Sequence, residues 1–107
     1  MITPTASFKE NLSLLPAIDG IARIELKDAA GQLVGSIENQ PGKQGSLAVY
    51  NHLFLSFGSL SAEAAAYGIA LFAEHSADTR PGAHPNIDRL RAIVNGAPAL
   101  TIAVITA

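Results

Sequence analysis

Glu74, His75, Asp78, Arg80, His84, Asp88, Arg89 and Arg91 fall within one stretch, EHSADTRPGAHPNIDRLR, of a chain otherwise poor in charge. The stretch holds two of the three histidines and three of the nine acidic residues, so a polar site is expected here first. His75 and Asp78 are three residues apart, and both can reach one ligand. His84 can fold back towards them across the Pro81-Gly82 turn. Two imidazoles and a carboxylate suit a divalent metal ion such as zinc, iron or manganese. Glu74 beside them could then serve as the base of a metal-assisted hydrolase or lyase. The spacing is not H-E-x-x-H. The competing reading is local architecture: His84 caps the helix that Pro85 begins, Asp78 pairs with Arg80 or Arg89, and Asp88 pairs with Arg91 along a helix.

A second constellation is Pro41-Gly42-Lys43-Gln44-Gly45-Ser46, where two glycines, a lysine and a hydroxyl precede a helix start. Free backbone N–H groups and the helix dipole favour phosphate or carboxylate at such a place. Lys43, Gln44, Gly45 and Ser46 are thus candidates to meet an anion. Arg89 would supply a second cation, and the EHSAD and HPNIDR segments an adjoining polar wall. The order of residues is not that of a Walker A loop. The plainer alternative is a connector whose Ser46 caps the helix. A third pattern is Glu63, Tyr67, Glu74 and Asp78, which share one sector of a continuous helix. It reads either as a cation or acid–base site or as the wet side of an amphipathic helix. His52 falls opposite the apolar stripe of its helix and is expected in solvent.

Composition narrows the field. A chain of 107 residues holds one domain, large enough to bury a core without staples. There is no cysteine, which excludes disulfides, thiolate nucleophiles and cysteine-bound zinc. MITPTASFKE lacks a basic region followed by an apolar run, so no signal peptide is expected. No apolar stretch approaches the roughly 20 residues needed to span a bilayer, so no membrane association is expected. The net charge of −2 and the scattered basic residues argue against nucleic acid. Only 15% of residues are charged, and so little charge on a small protein suggests a surface partly covered by a second copy, a homo-oligomer.

The elements that must carry these residues follow from pattern. Ser7 and Glu10 have the form of a capping box, and Phe8, Leu12 and Leu15 mark one face of a short helix ended by Pro16. Ile21 to Lys27 alternates as a half-buried strand, Ala29-Ala30-Gly31 turns, and Leu33 to Glu38 returns. Ser46 to Phe57 reads as a helix stopped by Gly58. Ser61 caps another helix, Ala62 to about Ala77. Pro85 opens a helix that runs to Gly96, with Ile87, Leu90 and Val94 facing inward. Leu100 to Thr106 is a strand apolar on both faces, expected centrally in a sheet or in a subunit interface. The order α-β-β-α-α-α-β gives an α+β fold with a small sheet of about three strands and helices packed on it.

The strings FKENLSLLPAIDGIARIEL, GSIENQPGKQGSLAVYNHL, SAEAAAYGIALFAEHSADTR and PGAHPNIDRL resemble a family of small bacterial proteins known as domain of unknown function 2322. The resemblance runs from Phe8 to about Val94. It implies a bacterial, cytoplasmic, stand-alone domain, and it brings no activity, cofactor or catalytic residue. The leading expectation is a self-associating domain that binds a small anionic ligand. The alternatives are the metal-assisted enzyme built on His75, Asp78 and His84, and a protein–protein interaction module whose C-terminal strand extends a partner's sheet.

Overall fold

The structure, a computed structural model, describes residues 1–107. Helix α1 (Phe8–Leu14) starts at Ser7, whose Oγ accepts from the Glu10 N–H at 3.3 Å. The return half of the capping box is made differently. Thr5 Oγ1, not Glu10, takes the Ser7 N–H, at 3.2 Å. Strands β1 (Ile21–Lys27) and β2 (Leu33–Glu38) form the expected hairpin. Asp28 Oδ1 closes its turn by accepting from the Ala30 and Gln32 N–H groups at 2.9 and 3.0 Å, and Gly31 takes φ +83°.

Helix α2 (Gln44–Phe57) begins two residues before Ser46. Lys43 is its N-cap, so Ser46 lies inside the first turn and does not cap it. A two-residue strand β3 (Ser59–Leu60) follows, which the sequence pattern does not reveal. Helix α3 (Ala62–Phe72) is capped by Ser61 and ends five residues earlier than its periodicity suggests. Ala73 adopts φ +51°, and Ala73–Ala77 forms a 3₁₀ turn. The Leu71 carbonyl, freed by this early stop, accepts from Asn11 Nδ2 at 3.0 Å. Helix α4 (Pro85–Val94) and strand β4 (Leu100–Thr106) lie where expected, but Ile93 and not Val94 joins Ile87 and Leu90 in the core, and Val94 is exposed.

The fold is α+β, with a four-stranded antiparallel sheet in the order β2-β1-β4-β3 in place of about three strands. Ile24 stands between Ile37 and Val104, and Leu26 pairs with Ile102, so one face of the sheet is apolar. That face and the inner sides of α2, α3 and α4 share a single core that includes Ile24, Leu26, Leu47, Leu53, Leu71 and Leu90. Gly68 lets the helices close: a Cβ there would lie 2.9 Å from a methyl of Leu53 and 2.9 Å from one of Leu90.

Strand β4 is interior to the sheet, yet of its residues only Ile102 is fully buried. Ala103 and Ile105, on the other face, are half-buried because no helix covers them. The expectation of burial on both faces is therefore corrected within the single chain. No helix is long and apolar enough to cross a membrane.

Candidate functional site

Most of the charge between Glu74 and Arg91 is spent on architecture. Glu74 Oε1 accepts from the Phe8 N–H at 2.6 Å, which caps α1 and holds the Glu74 carboxyl below its ordinary pKa. It does not stand free as a base. Asp78 pairs with Arg80 at 2.7 Å and with His84 Nε2 at 3.2 Å, and Arg80 holds its carboxyl well below the usual carboxylate range. Asp88 accepts from the Gly82 N–H at 3.1 Å and pairs with Arg91 at 3.2 Å. Arg91 Nη2 in turn donates to the Ser76 carbonyl, pinning the 3₁₀ turn to α4.

His75 does not join Asp78 and His84 around a point. Its ring stands edge-on to Phe8, with centroids 4.8 Å apart, and lies 5.9 Å from the His84 ring. No three His, Asp or Glu side chains are grouped so as to hold a metal ion. The proposed helical stripe is broken as well, since Glu74 and Asp78 lie beyond the end of α3. Tyr67, its second member, does something else: its hydroxyl donates to the Ile2 carbonyl at 2.7 Å and accepts from the Ile2 N–H at 2.9 Å.

His52 Nε2 lies 3.2 Å from the same hydroxyl, and the ring is 6% exposed, not solvated as its place on the helix suggested. Because the Tyr67 proton goes to Ile2, His52 must donate from Nε2. That leaves Nδ1 buried with no partner. Burial correspondingly pushes the His52 pKa down.

The one cavity of the molecule, about 670 Å³ and open to solvent, lies where the edge of β2, the first turns of α2 and α4, α1 and the 3₁₀ turn meet. It gathers residues that the sequence kept apart: Lys43, Gly45 and Ser46 from one candidate region, and His75, His84 and Arg89 from the other. Gln44 is not among its lining; its Nε2 donates to Asn39 Oδ1 at 3.0 Å.

Both helix starts at the cavity lack a side-chain cap, since neither Lys43 nor His84 makes that bond. The N–H groups of Gly45, Ser46 and Asn86, all in lining residues, make no hydrogen bond within the protein. Such groups carry the positive end of the helix dipole. Gly45 has a different role: it lets α1 approach closely, since a Cβ there would meet the Phe8 ring at 3.0 Å.

Arg89 is the residue whose setting the sequence did not disclose. Its Nη1 donates to Asn86 Oδ1 at 2.9 Å and to the Tyr50 hydroxyl at 3.2 Å, and its Cζ lies 5.7 Å from the Tyr50 ring centroid. Tyr50 is fully buried and donates to the Asn86 carbonyl at 2.5 Å. Burial pushes its hydroxyl up to about 12, so it remains a neutral partner. Arg89 forms no ion pair, and Nε and Nη2 have no acceptor in the protein. The guanidinium rests over Gly35, where a Cβ would lie 2.8 Å from Nη2. A glycine inside a strand often marks such a close approach, and Gly35 was the available signal.

Apolar groups also line the cavity: Phe8 and Leu12 are half-buried, Phe8 stacks on Phe72 with centroids 5.4 Å apart at 18°, and Phe72, Ile37 and Ile87 lie almost wholly in the core beneath. A half-buried, unpaired cation beside free N–H groups can hold an anion, and the wall can take an apolar body.

No curated protein and no solved structure matches this chain. A family model described as an uncharacterized protein conserved in bacteria (DUF2322) matches residues 8–104, which takes in both helix starts, Gly35, Arg89 and the sheet up to Val104. The chain belongs to that bacterial family, domain of unknown function 2322.

Proposed function

We propose that this protein binds a small anionic ligand in the cavity between the starts of α2 and α4. The observation that carries the reading is Arg89: a guanidinium fixed by two neutral acceptors, without a carboxylate partner, in a cavity lined by three residues with free N–H groups. An unpaired cation taken partly out of water is costly, and an anion from solution offsets that cost. The role first assigned to Lys43 passes largely to Arg89, since Lys43 is exposed at the rim. Gln44 leaves the set.

Nuclear magnetic resonance tests this with sodium phosphate and sodium benzoate added at constant ionic strength. Saturable shifts at the Gly45, Ser46 and Asn86 amides and at Arg89 Nε are expected. Shifts absent there, or spread evenly over the surface lysines, would overturn the reading.

Self-association belongs to the same proposal. Strand β2 is a free sheet edge with Leu33 58% and Val34 50% exposed, and the outer side of β4 adds Ala103 and Ile105. Sedimentation at micromolar concentration should show more than one subunit, and a monomer at all concentrations would remove this part.

A further inference from the structure

The cavity is two-sided, and its two sides together describe a ligand more narrowly than charge does. We infer that the natural ligand is a monocarboxylate carried on an aromatic body of one or two rings; this rests on the anion-binding reading above.

The charge side is limited. Arg89 is the one fixed, half-buried cation of the cavity without a partner. His84 is already matched by Asp78 at 3.2 Å, and Lys43 stands exposed at the rim. With Nη1 held by Tyr50 and Asn86, the guanidinium offers Nε and Nη2, two parallel donors in one plane. That fork matches the two oxygens of a single carboxylate. A doubly charged phosphate would have the free N–H groups of Gly45, Ser46 and Asn86 and the exposed Lys43 for its second charge, but no second fixed side-chain cation without an acidic partner.

The other side repels a hydroxyl-rich body. Its half-buried apolar groups are Phe8 and Leu12, with Phe8 backed by the buried Phe72 ring at 5.4 Å and set at a right angle to the His75 ring at 4.8 Å. Sugar hydroxyls placed there would lose water without gaining partners. A flat ring gains area and an aromatic contact. The volume of about 670 Å³ lies within the range that holds ligands of this size.

The test uses the full chain and calorimetric titration with four probes: 2-naphthoate, its uncharged isostere 2-naphthamide, glucose 6-phosphate and acetate. Naphthoate is expected to bind at least tenfold more tightly than each of the other three, with proton contacts to the Phe8 ring and the Leu12 methyls in nuclear magnetic resonance. In an Arg89→Met variant, shown to be folded by its thermal transition, naphthoate affinity should fall to that of naphthamide. Glucose 6-phosphate or acetate binding as tightly as naphthoate would overturn the aromatic class and leave the anion reading standing. Naphthamide binding as tightly as naphthoate would overturn both. So would the failure of all four to bind at millimolar concentration.

Discussion

Gly35→Ala should damage the ligand site while leaving the protein folded. The added Cβ would stand 2.8 Å from Arg89 Nη2, 3.3 Å from Cζ and 3.6 Å from Nε. Non-bonded heavy atoms settle at about 3.5–4.0 Å, so the guanidinium must retreat by roughly 0.7–1.2 Å. The atom that yields is the far end of a flexible side chain on the wall of an open cavity, so the backbone need not move. The strand also gains, because alanine loses less backbone entropy than glycine there, by about 0.5–1 kcal/mol. The weakened Nη1 bonds to Asn86 and Tyr50 oppose this gain, so stability should fall by no more than about 3 kcal/mol, read as the urea midpoint.

Binding should not be spared. The Nη1 bonds to Asn86 and Tyr50, 2.9 and 3.2 Å, stretch past useful length, and the Nε–Nη2 edge turns from its position. A misplaced hydrogen bond to a charged group costs about 1.5–3 kcal/mol, which is roughly ten- to a hundredfold in affinity. Calorimetry with benzoate or naphthoate on both proteins reads the difference. Wild-type affinity in a folded Gly35→Ala protein would refute the placement of Arg89 as the anchor.

Gly68→Ala should behave in the opposite way, because the methyls it meets, on Leu53 and Leu90, are fully buried and cannot yield. Overpacking of about 1–3 kcal/mol, less the helix gain of about 1 kcal/mol for alanine over glycine, predicts a net loss of stability in urea; an equal or higher midpoint would contradict it. Asn11→Leu removes four hydrogen bonds from a fully buried amide and strands the Leu71 carbonyl and the Thr5 N–H, so a loss of about 2–4 kcal/mol is expected by the same assay.

His52 predicts a pH effect. Its folded pKa is pushed below the unfolded value of about 6.5, so between the two the unfolded chain binds the extra proton. Stability from this group is complete above about pH 6.5 and is lost as pH falls through the folded pKa. A His52→Leu variant should show a shallower stability loss than wild type between about pH 7.5 and pH 5.5, and an unchanged slope would count against the buried, unpartnered Nδ1.

Elements with strong local signals were legible in the sequence. The alternation of Ile21–Lys27, the Gly31 turn, the Pro85 start and the Gly58 stop all agree with the structure. The end of α3 was not legible, because its cause is distant: Asn11 takes the Leu71 carbonyl, and Glu74 turns back to cap α1. Strand β3 is two residues long and exists only by pairing with Thr101 and Leu100. His52 looked solvated because helical periodicity places a residue relative to one partner surface, whereas the segment at Ile2 and α3 covers α2 from another side.

The site was half legible. Both candidate regions do meet, since the starts of α2 and α4 line the same cavity. Which charges remained free for a ligand depended on tertiary pairing. Asp78, Asp88, Arg80, Arg91 and Glu74 satisfy one another or backbone groups, and Arg89 does not meet an acid. Only the single glycine inside β2 hinted at that arrangement.

The most direct test is the affinity of the wild-type protein and of Arg89→Met for benzoate, measured by calorimetry at two salt concentrations, with the thermal transition of each as a control for folding. The account predicts saturable binding to the wild type that weakens with salt, and a loss of at least about tenfold in the variant with little change in its transition. Equal binding by the two folded proteins would contradict the claim that this cavity, through Arg89, is an anion site.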